Sequence, residues 1–89
     1  MPNIKQQERR VRSAARQRQQ NLRWRSTAKT LFKRLEVAID GGDTELIASE
    51  HRSLISWLDR ASARGAIHPN RAARKKSQAA RLVAKAAGG

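Results

Sequence analysis

Cationic side chains are the residues of this sequence whose types and spacing best fit a chemical task. The chain has 20 Lys and Arg residues against 7 Asp and Glu residues, a formal net charge of +13 on 89 residues. A charge of this size indicates a polyanionic partner, either nucleic acid or an anionic membrane surface. Arginine outnumbers lysine 14 to 6. Guanidinium binds phosphate through two hydrogen bonds and stacks on unpaired bases, which favours RNA, although codon bias in a GC-rich genome explains the ratio equally well.

The cations of the N-terminal third lie on more than one side of the helix that this segment predicts. At 3.6 residues per turn they fall into two arcs. One arc contains Lys5, Arg9, Arg12, Arg16 and Arg23, and the other contains Arg10, Arg18, Arg25 and Lys29. A duplex or a bilayer requires charge on one side only, whereas phosphates of folded RNA can surround a helix. A solvated basic face is the simplest alternative, but like charges three and four residues apart destabilise an isolated helix, so we favour phosphate binding.

A second basic surface is predicted in the last third of the chain. Residues 60–89 carry 8 basic residues and no acidic residue, whereas residues 36–59 carry 1 basic and 6 acidic residues. On a helix, one face of the last segment would present Arg71, Arg74, Arg81 and Lys85, with Lys75 beside them and Lys76 nearer the expected core side. We expect this face to bind phosphate as well.

Motifs for catalysis or cofactor binding are missing from the sequence. There is no cysteine, phosphate-binding glycine loop, nucleophile elbow or metal-ligand pattern, and neither His51 nor His68 has a second ligand at metal-ligand spacing. We therefore predict no enzyme activity, cofactor, metal or small-molecule substrate. No stretch is apolar enough for a signal peptide or a bilayer span, and a mitochondrial presequence would need an apolar face. We expect a soluble, cytoplasmic protein without membrane contacts.

Helix signals divide the chain into three segments. Good helix formers dominate, and the alternation typical of strands is missing. The glycine pair at 41–42 followed by Asp43 predicts one helix end and an immediate new start, and Gly65 predicts a second end. Whether His68 or Asn70 caps the third helix stays open. Helices are predicted over residues 5–40, 44–64 and 70–86.

Apolar periodicity predicts which helix faces pack together. The stripe of helix one contains Trp24, Ala28, Leu31, Phe32, Leu35 and Ile39, and that of helix two contains Leu46, Ile47, Leu54, Trp57, Leu58 and Ala61. These stripes can bury each other in an antiparallel hairpin, with both tryptophans in that contact rather than in base stacking. Helix three offers a thinner stripe of Ala73, Ala80, Val83 and Ala84, which removes little apolar area from water.

The predicted organisation is one all-α domain over residues 1–89. It comprises a basic N-terminal extension of helix one over 1–23, a helical hairpin core over 24–64, and a loop with the basic third helix over 65–89. A helix from 5 to 40 would be about 54 Å long, far longer than its partner, so the extension must project beyond the core. Because no apolar burial offsets its ordering entropy and repulsion, we expect residues 1–23 to be largely disordered without a polyanion.

Short motifs along the whole chain resemble one known family. They are Asn3-Ile4-Lys5 at the start, Gly42-Asp43 in the centre, and Gly65-Ala66-Ile67-His68 leading to Asn70 and Ala72-Ala73-Arg74-Lys75-Lys76-Ser77. The chain resembles the bacterial small-subunit ribosomal protein twenty family. Two features depart from its pattern. Pro69 stands where the family usually has a polar or basic residue, and two tryptophans occur in a family poor in aromatic residues.

The resemblance implies a three-helix bundle with a long, projecting first helix that binds small-subunit ribosomal RNA directly and bridges separate RNA segments. By matching position it gives an RNA-contact expectation to Asn3, Lys5, His68, Asn70, Arg74, Lys75, Lys76 and Ser77. The arginines of helix one receive this expectation only as a class. The other small-subunit ribosomal proteins are expected as neighbours, and the ribosome in the cytoplasm as the location.

Cations and resemblance together predict one RNA-contact set. Its members in the first helix are Asn3, Lys5, Arg9, Arg10, Arg12, Arg16, Arg18, Arg23, Arg25 and Lys29. Its members in the last third are His68, Asn70, Arg71, Arg74, Lys75, Lys76, Ser77, Arg81 and Lys85. The alternatives are a DNA-compacting basic helical protein, a membrane-active cationic helix, and an enzyme subunit or regulatory protein that uses the acidic middle.

Overall fold

Three α-helices and two short connections make up the described part of the molecule. The computed structural model describes residues 4–88, except for the side chain of Gln6. Its elements are α1 (Ile4–Gly41), α2 (Thr44–Ala63) and α3 (Pro69–Ala87), with no strand among the described residues. The structure therefore confirms the predicted fold class, an all-α three-helix bundle with a long, projecting first helix. Asn3 of the predicted contact set lies outside the described residues.

The turn between α1 and α2 forms as its glycine and aspartate predict. Gly42 has a φ of +75°, which a residue without Cβ adopts readily, and its amide donates to the carbonyl of Ala38 at 3.1 Å. Asp43 is the N-cap of α2, and its Oδ1 accepts from the amides of Glu45 and Leu46 at 3.1 and 3.3 Å. The reversal therefore takes only two residues, which makes α1 and α2 antiparallel neighbours.

The connection from α2 to α3 combines a glycine C-cap with a histidine N-cap. Gly65, with a φ of +78°, donates to the carbonyl of Ser62, and the next amide, of Ala66, donates to Ala61 at 2.9 Å. His68 then caps α3, because its Nδ1 accepts from the amide of Asn70 at 3.1 Å. This contact resolves the open question of the cap in favour of His68, with Pro69 as the first helical residue.

Helices α1 and α2 contribute most of the core, and α3 closes it with small side chains. The core residues are Leu35, Ala38, Ile47, Leu54, Leu58, Ala61, Ala66, Ile67, Ala72 and Ala79, with Trp24, Ala28, Leu31, Phe32, Ile39 and Val83 partly buried against them. One predicted member of the helix-two stripe is wrong, because Leu46 is 46% exposed. It lies in the first turn of α2, where the neighbouring Ile47 faces the core instead.

Of the predicted face of helix three, Val83 packs against the core, but the alanines are wrong, because Ala84 is exposed and the buried alanines lie one residue earlier than predicted. Ala72 and Ala79 are buried, while Ala73 and Ala80 are exposed. The buried line continues through Lys76, which is only half-exposed because its aliphatic stem can cover apolar surface while its ammonium reaches solvent. A search for a stripe of apolar residues alone leaves out Lys76, and it therefore predicts the neighbouring alanines, Ala73 and Ala80, as the buried ones.

The N-terminal half of α1 extends well past the bundle. With 38 residues, α1 is about 57 Å long, whereas the 20 residues of α2 span about 30 Å. The molecule accordingly measures 67 × 21 × 13 Å along its principal axes. Every described side chain from residue 4 to residue 20 is exposed, as the lack of a core stripe predicts. None of the helices described is both long and apolar enough to cross a membrane.

The positive φ of Gly65 predicts a specific loss of stability in the variant Gly65→Ala. An added Cβ would have no atom within 4 Å, so the loss comes only from the left-handed backbone and should be about 1–2 kcal/mol in the free energy of unfolding. Gly41→Ala is the matched control, because Gly41 lies within α1 with the same open space around it. Urea denaturation should show unchanged or slightly raised stability in the control, and equal stability of both variants would contradict a backbone cost at Gly65.

Candidate nucleic-acid interface

Cations from α1 and α3 meet along the groove between these two helices, which we call the α1–α3 seam. Two adjoining depressions, of about 370 and 330 Å³, open into it, and Phe32 contributes to the lining of both. The cations that line them are Arg25, Lys29, Arg71, Lys75, Arg81 and Lys85. All six belong to the predicted contact set, and no Asp or Glu among residues 4–88 lines either depression. The fold therefore gathers residues far apart in sequence into one cationic groove.

Two of the seam cations also hold the fold together. The Nε–H of Arg25 donates to the carbonyl of Ala66 at 3.1 Å, which ties α1 to the loop between α2 and α3. The ammonium of Lys75 lies 5.5 Å from the centroid of the Phe32 ring, within the range of a cation–π interaction. These contacts fix the position of both side chains, and the remaining N–H groups of the Arg25 guanidinium stay available for other acceptors.

A tryptophan pair sets the packing of α1 on α2 beside the seam. The rings of Trp24 and Trp57 stack with centroids 4.0 Å apart, and the indole N–H of Trp57 donates to the carbonyl of Trp24 at 2.9 Å. The guanidinium of Arg64 lies 5.1 Å from the centroid of the Trp24 ring. Both tryptophans are thus hairpin contacts, as the apolar stripes predict.

Other residues of the predicted set on α3 have different positions. Lys76 forms an ion pair with Asp59 at 2.6 Å, and because both side chains are substantially exposed the pair contributes at most about 1 kcal/mol. Asn70, Arg74 and Ser77 are exposed, but none of the three lines the depressions of the seam. The imidazole of His68 is engaged in capping α3. The seam therefore contains only part of the family's motif.

The projecting half of α1 presents a second cationic surface, which we call the extension surface. It consists of Lys5, Arg9, Arg12, Arg16 and Arg23, all of them exposed. At 100° per residue this arc lies on roughly the opposite side of α1 from Arg25 and Lys29, the α1 cations of the seam. Arg10 and Arg18 are also exposed and belong to the other arc. The molecule therefore offers positive charge in two opposed directions.

Sequence reasoning missed the central place of Phe32 and the contacts of Arg64 and Arg25. The periodicity of helix one places Phe32 at the edge of the core stripe. This position predicts that Phe32 lines a groove only if it is already known that a third helix packs beside it. His51 is half-buried on α2, and its Nε2 has no hydrogen-bond partner within the described chain. No group of three or more His, Cys, Asp or Glu residues between 4 and 88 could hold a metal ion.

Sequence comparisons match this chain to one family of known proteins. The model of the family described as Ribosomal protein S20 matches residues 2–84. The small ribosomal subunit protein bS20 of Thermomicrobium roseum is 46% identical over 78 residues, which cover 88% of this chain and 79% of the relative. The protein of the same name from a Roseiflexus species is 44% identical over 88 residues, 97% of this chain and 93% of the relative. That of Kocuria rhizophila is 36% identical over 85 residues, 96% and 99% of the two chains.

These matches define a structural ribosomal protein and not an enzyme. More narrowly, the chain belongs to the ribosomal protein S20 family, which confirms the resemblance that its motifs indicate.

The bond from Arg25 to Ala66 predicts that this arginine stabilises the free protein. Arg25→Ala should lower the free energy of unfolding by about 1 kcal/mol, because a partly buried carbonyl loses its donor. Arg18→Ala is the control, since Arg18 is an exposed cation of the same arc outside these packing contacts. Thermal unfolding without RNA measures both variants. Equal midpoints would show that Arg25 has no structural role.

Proposed function

We propose that this protein is a constituent of the small ribosomal subunit that binds small-subunit ribosomal RNA directly and cross-braces separate RNA segments during assembly. The observation that carries the proposal is that the extension surface and the α1–α3 seam lie on opposed sides of α1. The names of the relatives, all small ribosomal subunit proteins, support the choice of subunit.

The mechanism is electrostatic. Each surface neutralises phosphates of a different RNA element, and once RNA has ordered the extension, the continuous helix α1 sets the distance between the two surfaces. Lys and Arg that replace condensed counterions gain affinity from their release, and arginine adds bidentate hydrogen bonds to phosphate. The acidic residues between 36 and 59 lie outside both surfaces, and their repulsion of phosphate disfavours RNA binding at α2 and at the C-terminal end of α1.

The full predicted contact set extends beyond the two surfaces. Asn3, His68, Asn70, Arg74, Lys76 and Ser77 enter it through the matching family motif, and Arg10 and Arg18 enter it as exposed cations of the second arc. Other small-subunit proteins are the expected neighbours, and the ribosome of a bacterial cytoplasm is the expected location.

Compaction of DNA is the second candidate, because it also requires strong positive charge. A single duplex would touch one side of α1, whereas the exposed cations lie on opposed sides, and this favours folded RNA. Competition between duplex DNA and ribosomal RNA at equal nucleotide concentration separates the two functions. Preferential binding of the DNA would support compaction.

Salt dependence provides a direct test of the electrostatic mechanism. If roughly six to ten phosphates are neutralised, affinity for small-subunit ribosomal RNA should fall by about 10³ to 10⁵ between 50 and 200 mM salt. Filter binding across this salt range measures the slope. An affinity that barely changes would exclude phosphate contacts as the main source of binding.

Cross-bracing predicts that the two surfaces touch different RNA segments. A photoreactive amino acid in place of Arg12, on the extension surface, and one in place of Arg81, in the seam, should crosslink to separate segments of small-subunit ribosomal RNA. The control position is Arg52 on α2, an exposed cation outside both surfaces, which should give few crosslinks. Crosslinks from positions 12 and 81 to one common segment would contradict bridging.

A further inference from the structure

The larger depression of the α1–α3 seam combines features that a purely phosphate-binding groove does not need. The accessible apolar surface of its floor comes from Ala28 and the ring of Phe32, which are partly exposed, while Leu54, Leu58 and Ile67 also line it but are buried. Its volume of about 370 Å³ lies within the range of pockets that hold small organic ligands, about 300–1,000 Å³. A flat apolar group therefore fits inside, whereas a phosphate alone would gain nothing from the floor.

The charges around the rim of the depression indicate what kind of ligand would carry this flat apolar group. Arg25, Lys29, Arg71 and Lys75 border the depression, and none of its lining residues is acidic. The first turn of α3 carries no acidic residue either, so the positive end of this helix lies beside Arg71 without an internal counter-charge. An occupant with an apolar face and a negative charge matches both the floor and the rim.

We propose that this depression binds one unpaired nucleotide of an RNA strand, with the base against the apolar floor and the phosphate among the four rim cations. The inference rests on the proposed RNA-binding function and adds a preference for a base that is free to leave its stack. Sequence-specific readers of RNA commonly stack such bases on aromatic side chains or on arginine guanidinium planes. A bulged or looped nucleotide meets this requirement, and a fully paired one does not.

Leu22 offers a second sign that the depression is built for contact. It is 55% exposed although it lines the depression, and it belongs neither to the core nor to the side chains packed against the core. Contact with a base would remove the apolar surface of Leu22 from water, whereas the folded protein alone leaves that surface exposed.

The test compares two RNA hairpins that differ only in whether one base is paired. In the first, a single 2-aminopurine is bulged out of the stem, and in the second, one uridine is added opposite it so that the stem is fully paired. Binding of the full-length protein is measured at one fixed salt concentration, and the fluorescence of 2-aminopurine reports whether the base changes its surroundings. Stacking on the Phe32 ring predicts a preference of roughly five- to hundredfold for the bulged RNA.

The variant Ser26→Leu blocks the depression without changing charge. Ser26 is exposed and lines the depression, so a leucine there fills space and leaves the core intact. We expect the preference and the fluorescence change to disappear, while affinity for the paired stem stays the same. Ser26→Ala should keep the preference. Ser53→Leu is the matched control, because Ser53 is an exposed serine on α2 away from the seam, and it should also keep the preference.

Two results would overturn the nucleotide pocket. One is equal affinity of the unmodified protein for bulged and paired RNA, and the other is an unchanged preference in Ser26→Leu. Failure of the unmodified protein to bind either RNA or ribosomal RNA at low salt would instead contradict the proposed function as a whole.

Discussion

Repulsion between cations on a helix that has no apolar face is the constraint on which the rest of this structure depends. In the first half of α1, Lys5, Arg9, Arg12 and Arg16 follow one another at spacings of three and four residues, and every described side chain from residue 4 to residue 20 is exposed. Like-charge pairs at these spacings destabilise an isolated helix by roughly 0.2–0.5 kcal/mol each. Alanine, arginine and glutamine favour the helix, but no packing adds to their intrinsic preference. A surrounding polyanion converts the same charges into a source of stability, so binding and folding of this segment are linked.

At the other end of α1, packing against α2 and α3 fixes the position of the helix, whereas no packing fixes the extension. Stacked indoles at Trp24 and Trp57 fix α2 on α1, and the Arg25 bond to Ala66 fixes the loop from which α3 begins. Since α3 approaches through alanines, its backbone lies close to the hairpin and its cations face the α1 cations across a narrow seam. The small core therefore serves to hold two charged surfaces in a constant relation rather than to enclose a reaction site.

Local signals in the sequence were sufficient for the helices and their ends, because each end depends on a few adjacent residues. Gly42, Asp43 and Gly65 act through their own backbone or side-chain hydrogen bonds, and the structure has them where the pattern predicts. Contacts between helices were harder to predict. The face of α3 depends on the stem of Lys76 covering apolar surface, and the exposure of Leu46 depends on how the first turn of α2 meets α1. The seam itself joins residues about 45 positions apart, so charge patterning predicted its members but not their meeting around Phe32.

Hydrogen exchange of backbone amides tests the central claim most directly, because it reports the local stability of α1 residue by residue. The full-length protein is compared with and without a saturating amount of small-subunit ribosomal RNA. We predict that amides between residues 8 and 20 exchange rapidly in the free protein and become strongly protected with RNA, while those of α2 are protected in both states. Strong protection of residues 8–20 without RNA, unchanged on its addition, would contradict the account.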